Sequence, residues 1–297
     1  MYHSQDYAII FTVIEMIKIG AHMPISHGFE KVPELTVEIG GNCFQIFPHS
    51  PRTWSAKMPT KKTCDLFRSM MEKYQIDYEG AFCHTGYLIN LASPNDENWK
   101  KSVQLLLLEG RICEALGIKY LNVHPGSHTG AGEEFGFKRI ITAINEFLSG
   151  TKNVVLLLEN VSPKGGNIGY NFDQIKRIID SSIDPSRLGI TYDTCHGFDA
   201  GYDITTKDAV RRLLDEIDSK IGLEKLRMIH LNDSKAPLGR PTDRHENIGK
   251  GFIGEKGFKV FLSFEEIRRV AWILETPGDE AEHAQDIAKV KEILGLM

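Results

Sequence analysis

Nine side chains of this 297-residue sequence are of types that bind divalent metal: His84, His124, Glu159, Asp193, His196, His230, Asp243, His245 and Glu275. Five imidazoles and four carboxylates, with no thiolate among them, form a donor set for Zn²⁺, Mn²⁺ or Fe²⁺. Nine donors exceed what one tetrahedral ion can use, so several ions are implied, with at least one bridging carboxylate. Such a cluster suits phosphoester hydrolysis, because paired ions neutralise the phosphate, activate a water molecule and stabilise the leaving oxygen.

Taken singly, each residue has a plainer reading. A histidine near a strand end is commonly a hydrogen-bonded core residue, and a Glu before Asn or an Asp before Thr is often a cap. Placement is what distinguishes the set. Six short β-branched or aromatic runs each carry one of these residues at or near their end. They are "YEGAFCH" (78–84), "KYLNVHP" (119–125), "NVVLLLEN" (153–160), "LGITYDT" (188–194), "LRMIHLND" (226–233) and "VAWILETP" (270–277). Two earlier runs, "IKIGAH" (17–22) and "NCFQIFP" (42–48), bring the strand candidates to eight.

Amphipathic stretches such as "NWKKSVQLLLLEGRICEALGI" and "TTKDAVRRLLDEIDSKIG" separate the runs. The alternation predicts an α/β protein, a single-domain (β/α)8 TIM barrel over 16–297, in preference to a doubly wound open sheet. The strand C-termini of a barrel open on one face, where such folds place their active sites. His84, His124, Glu159, Asp193, His230 and Glu275 would converge there, with His196 and the Asp243–His245 pair in the loops beyond the sixth and seventh strands. His22 and His128 lie on the same face and are read as supporting residues. His3, His27, His49 and His283 lack the placement and are read as ordinary surface or packing histidines.

The loop "PTDRHENIGKGFIG" (241–254) invites a second reading, since its last six residues have the spacing of a dinucleotide-binding glycine loop. That fingerprint works only after a strand and at the start of a helix. Here it follows the polar segment "NDSKAPLGRPTDRHEN", so no βαβ unit can be built around it.

Composition sets the remaining bounds. A chain that is 41% hydrophobic and 25% charged is an ordinary globular protein with a substantial core. Five scattered cysteines, odd in number and without a CxxC pair, fit a reducing cytosol rather than a disulfide framework or a cysteine zinc site. The apolar run over 7–14 is too short to span a bilayer, and neither a basic leader nor a cleavage site accompanies it. A cytoplasmic protein without membrane attachment is expected, with 1–15 as a dispensable N-terminal extension. The net charge of −5 argues against nucleic acid at face value, although bound cations are outside that count.

The segments "FCHTGYLINLASP", "NVHPGSH", "LLLEN", "YDTCHGFDAGYD", "HLNDSK", "DRHENIGKGFIG" and "ILETP" resemble, in the same order, the motifs of the endonuclease IV family. The resemblance runs from about Ile17 to about Pro277. Members of that family are apurinic/apyrimidinic endonucleases of base-excision repair, built on a TIM barrel that carries three zinc ions. By resemblance, His84, His124 and Glu159 would hold one zinc. Glu159, by the same resemblance the catalytic residue, would bridge to a second held also by Asp193, His230 and Glu275. The third would lie among His196, Asp243 and His245, which makes "DRH" a metal half-site and leaves the glycines to turn the loop back over the barrel mouth. Manganese could replace zinc in part.

The implied reaction hydrolyses the phosphodiester 5′ to an abasic site in double-stranded DNA, leaving a 3′-hydroxyl and a 5′-deoxyribose phosphate, with trimming of blocked 3′ ends. A metal-bound hydroxide would be the nucleophile. Three Zn²⁺ would carry the chain from −5 to about +1, which weakens the charge objection. Residues matching Arg52, Tyr87 and Leu88 enter the duplex at the lesion in the family. Trp54 would either join them or cap the core. Two positions depart from the family pattern: Ser50 stands where Asn is common, and "ENVSPKGGNIGY" replaces a small-residue run, which leaves the role of Lys164 open. A monomer is expected. The competing readings are a metal-dependent sugar isomerase and a non-catalytic, zinc-stabilised damage-binding protein.

Overall fold

The computed structural model describes residues 17–296, so the expected extension over 1–15 and His3 lie outside the described residues. Eight parallel strands close into a barrel in sequence order. They are β1 (Ile19–His22), β2 (Cys43–Ile46), β3 (Ala81–His84), β4 (Tyr120–Val123), β5 (Val155–Glu159), β6 (Leu188–Asp193), β7 (Leu226–His230) and β8 (Ala271–Leu274). Closure comes from β8 pairing with β1, with Ile19 opposite Trp272 and Ala21 opposite Leu274. The single-domain TIM barrel expected from the alternating pattern is therefore the observed fold.

Alternation along each strand sorts two cores. Side chains facing outward join the large apolar layer between sheet and helices, which includes Phe44, Leu121, Leu158, Ile229 and Trp272. Inward-facing ones form a separate plug of Cys43, Phe82, Tyr120, Leu157, Met228, Ala271 and Ile273. Because successive strand residues point to opposite faces, a residue two positions beyond a plug residue also points inward, one layer nearer the C-terminal mouth. Phe82 is followed in this way by His84, Leu157 by Glu159, Met228 by His230 and Ile273 by Glu275; Cys43 leads to Gln45, and Tyr120 to Asn122 and then His124. The barrel is thus apolar at its base and polar at its mouth, and the strand pleat alone sets the boundary.

Among the described residues no helix is long and apolar enough to cross a membrane. All five cysteines are free and buried.

Candidate metal centre

Glu159 lies at the centre of the polar layer, fully buried. Its Oε2 is 3.4 Å from His84 Nε2 and 3.2 Å from His124 Nε2. Its Oε1 is 3.1 Å from His196 Nδ1 and 3.3 Å from His230 Nδ1. On the far side of His230, Glu275 Oε2 lies 3.2 Å from Nδ1. Asp193 Oδ2 is 3.7 Å from His230 Nδ1 and 3.6 Å from His245 Nε2, while Asp243 Oδ1 is 3.1 Å from His196 Nε2.

The donor atoms gather in sets that each lie within 4.8 Å of one another: His84, His124 and Glu159; Glu159, Asp193, His230 and Glu275; and His196, Asp243 and His245. Asp193 and His245 also come within that range of Cys195. Burial pushes the Cys195 thiol far up, and its Sγ faces the Arg244 carbonyl at 3.5 Å.

Local structure explains how the loop-borne donors arrive. Asp193 ends β6 and caps the short Thr194–Asp199 helix, accepting from His196 N at 2.8 Å, which places His196 one turn beyond the strand. After β7 the chain returns as a two-residue antiparallel ribbon that pairs Ser234 with His245. The glycines that follow serve the chain's own Asp233. Its carboxylate accepts from Gly249 N at 3.0 Å, Gly251 N at 2.9 Å and Ile253 N at 3.0 Å. A Cβ at Gly251 would fall 2.4 Å from Ser234 O, so only glycine fits. The loop is an anion nest filled from within, which accounts for a phosphate-like fingerprint in a chain without a βαβ nucleotide unit there.

Hydrogen bonds fix which ring nitrogen is free. Nδ1 of His84 meets Thr85 O at 2.8 Å, Nδ1 of His196 meets Asn160 O at 3.1 Å and Nδ1 of His245 meets Glu275 O at 3.1 Å. A carbonyl only accepts, so these rings donate from Nδ1 and keep the Nε2 lone pair. His230 is reversed: Nε2 faces Gln45 Oε1 at 2.9 Å. That amide is oriented by its other end, where Nε2 donates to Glu275 Oε1 at 2.7 Å.

Buried atoms with no hydrogen-bond partner include Glu159 Oε1, His230 Nδ1 and His245 Nε2. Each leaves a desolvation cost of about 1–3 kcal/mol unmet. All belong to the donor groups, and a cation in each group would satisfy them. The donor chemistry therefore fits divalent metal.

Protons take up that role in the metal-free protein. Burial alone would lower His230, but Glu275 and Glu159 outweigh it and raise the ring to about 9. His196 is lifted well above its ordinary value against burial by Asp193 and Asp243. Burial would raise Glu159, yet the His124 and His230 charges hold it well below the usual carboxylate range. The hydrogen bond to His196 brings Asp243 down to about 2.

Several contributors escaped the sequence reading. Asn122 Nδ2 donates to Glu159 Oε2, and Asn232 Nδ2 donates to Asp193 Oδ2 at 2.7 Å while its Oδ1 accepts from Glu275 N at 2.8 Å. Their signal was available: an amide inside or beside an apolar run, two residues from a ligand-type residue. His283, read as an ordinary histidine, lines the cavity and faces Thr276 O through Nε2 at 3.0 Å. His49 packs as expected, buried against Glu109. His22 lies beside the site, 3.4 Å from Glu275.

The cavity measures about 500 Å³ and is lined by His22, His84, His124, His196, Asp243, His245, Glu275 and Tyr87. Tyr87 stands on its rim, 63% exposed, with its ring edge against Phe47 and its amide donating to Pro51 O at 2.9 Å. Leu88 is half-buried beside it and Arg52 is exposed on the adjoining loop. Trp54 is 38% exposed on the same loop as Arg52.

A family model described as a xylose isomerase-like TIM barrel matches residues 33–293. The chain is 62% identical over 279 residues to a probable endonuclease 4 of Thermotoga neapolitana, covering 94% of this chain and 97% of that one. A probable endonuclease 4 of Cenarchaeum symbiosum is 39% identical over 93% of this chain and 98% of its own length. Among solved structures, endonuclease IV from Thermus thermophilus superposes with a TM-score of 0.82 at 31% identity, over 94% of this chain and all of that one. A D-tagatose 3-epimerase-like protein, with a TM-score of 0.72 at 20% identity, shares the fold alone. With its motifs in order along a closed barrel and its donors gathered at the mouth, the chain belongs to the endonuclease IV family of apurinic/apyrimidinic endonucleases.

Proposed function

We propose that the chain hydrolyses the phosphodiester 5′ to abasic sites in double-stranded DNA, leaving a 3′-hydroxyl and a 5′-deoxyribose phosphate, and trims blocked 3′ ends. It does so as a cytoplasmic monomer with three zinc ions, one in each of the three donor groups. The observation that carries this reading is the gathering of three donor sets at the barrel mouth, two of them joined by the shared Glu159 carboxylate. When bound, such ions supply charge to a phosphate and lower the pKa of water to about 7.

The chain's own residues do the rest. Glu159 directs one oxygen at the His84 and His124 pair and the other at His196 and His230, so one carboxylate can serve two ions. Gln45, Asn122 and Asn232 fix the carboxylates before substrate arrives, so little reorganisation is needed at the moment of reaction. Tyr87, Leu88 and Arg52 sit where they can fill the gap that a missing base leaves in the stack, keeping the abasic nucleotide turned toward the cavity. Trp54 adds apolar contact beside Arg52.

Incision of a duplex oligonucleotide containing an abasic site tests the proposal. Zinc-loaded protein should cut 5′ to the lesion, lose activity to a chelator and regain it with zinc. A sugar isomerase would leave the DNA intact, and a damage-binding protein would retain the duplex uncut.

A further inference from the structure

Asp243 is one of three non-glycine residues among the described ones with a left-handed backbone, at φ 53°. That conformation is disfavoured for any residue with a Cβ and persists only where the surroundings enforce it. The enforcement here comes from Asp199, the last residue of the Thr194–Asp199 helix, which is 1% exposed. Its Oδ2 accepts from Asp243 N at 2.7 Å, Thr242 N at 3.0 Å and Ser162 Oγ at 2.9 Å. The other oxygen, Oδ1, is buried without a partner. A half-satisfied buried carboxylate is costly, and nothing in the packing of that helix calls for a charged group at this position.

What Asp199 joins explains it. Ser162 lies on the loop after β5, which carries Glu159; the Thr194–Asp199 helix carries His196; Thr242 and Asp243 open the loop that carries His245. One carboxylate oxygen thus ties the two segments that supply His196, Asp243 and His245 to each other and to the loop after β5. Lys164 Nζ adds a bond to Thr242 O at 3.3 Å from the β5 side.

We propose that Asp199 is the positioning residue of the loop-borne metal group, a latch that holds the Asp243 backbone so that its carboxylate faces His196 before metal arrives. It touches neither metal nor substrate and acts through Asp243. The inference rests on the reading that His196, Asp243 and His245 hold one ion. Outer groups that orient ligands commonly control about 10–100-fold of metal affinity, and the latch is expected to do the same for one ion of the three.

The test counts zinc ions in parent, Asp199→Ala and Asp199→Asn, then follows their release to excess chelator and the unfolding midpoint of each metal-free protein. Asp199→Ala should load three ions and release one of them at least about tenfold faster than the parent does, with the other two unchanged. Asp199→Asn keeps an acceptor for the two amides and should restore most of the retention. Metal-free midpoints should stay close to the parent's. Three ions leaving Asp199→Ala at parental rates would overturn the latch and leave the metal reading intact. Uniformly faster release with a lowered metal-free midpoint, or failure to fold, would show ordinary packing instead. A parent that binds only two ions would overturn the metal reading and the latch together.

Discussion

Glu159, Asp193 and His230 end strands β5, β6 and β7 and are wholly buried. Asp243 sits on the loop after β7 with its side chain 44% exposed and its backbone left-handed. Both kinds of residue present oxygen or nitrogen to the donor groups at the barrel mouth. Glu159 and His230 need no special local arrangement, because the pleat and the plug residues Leu157 and Met228 beneath them already direct them inward. The loop donors depend on a cap at Asp193, a two-residue ribbon at His245 and a carboxylate latch at Asp199. A rigid scaffold can thus carry a metal group at no local conformational cost, whereas a group completed by a loop needs other residues to hold the loop.

The largest effect should come from Glu159, the strand donor that two of the groups share. Glu159→Gln keeps the shape but removes the charge that two donor groups share and one of its two acceptor oxygens. Incision should fall by at least about three orders of magnitude, since ion stabilisation of the phosphate is worth several kcal/mol at about 1.4 kcal/mol per decade. A single-turnover assay on abasic duplex measures it; a loss of less than tenfold would mean that Glu159 does not bridge.

How much was legible beforehand follows the same division. His84, Glu159, His230 and Glu275 could be read because each closes an apolar run, and period-two alternation aligns them with Phe82, Leu157, Met228 and Ile273. Gln45 and Asn122 obey the same alternation and were missed because an amide carries no ligand signal of its own. Asp199 could not be read at all: its partners Thr242 and Asp243 are 43 and 44 residues away and offer backbone amides, which leave no trace in side-chain type. The glycines after "DRH" were visible, but their carboxylate partner Asp233 emerges only once the ribbon folds.

A pH series separates the strand-borne site from the rest of the barrel. The metal-free pKa of His230 is raised from 6.5 to about 9. Its contribution to stability is complete below pH 6.5 and is lost as pH rises through about 9. The unfolding midpoint of metal-stripped protein should therefore fall over that window, and zinc-loaded protein, in which metal replaces the protons, should show little of this loss. Identical pH dependence of the two forms would contradict the electrostatic account.

Smaller effects are expected on the rim. Tyr87→Ala or Arg52→Ala should weaken binding of abasic duplex by about 1–3 kcal/mol with the metal count unchanged, as read in a titration against intact duplex. Trp54→Ala should do less, because its contact lies farther from the cavity. Lys164→Ala removes one exposed hydrogen bond to the loop and should alter stability by no more than about 0.5 kcal/mol, with metal retention close to the parent's.

The most direct test counts ions. Elemental analysis of the parent and of the Asp243→Ala, His245→Ala double variant, alongside incision of an abasic oligonucleotide, addresses the three-group centre itself. The account predicts three zinc ions in the parent and two in the variant, with the fold intact and incision sharply reduced. Equal metal content in the two proteins, or a variant that cuts at the parental rate, would contradict it.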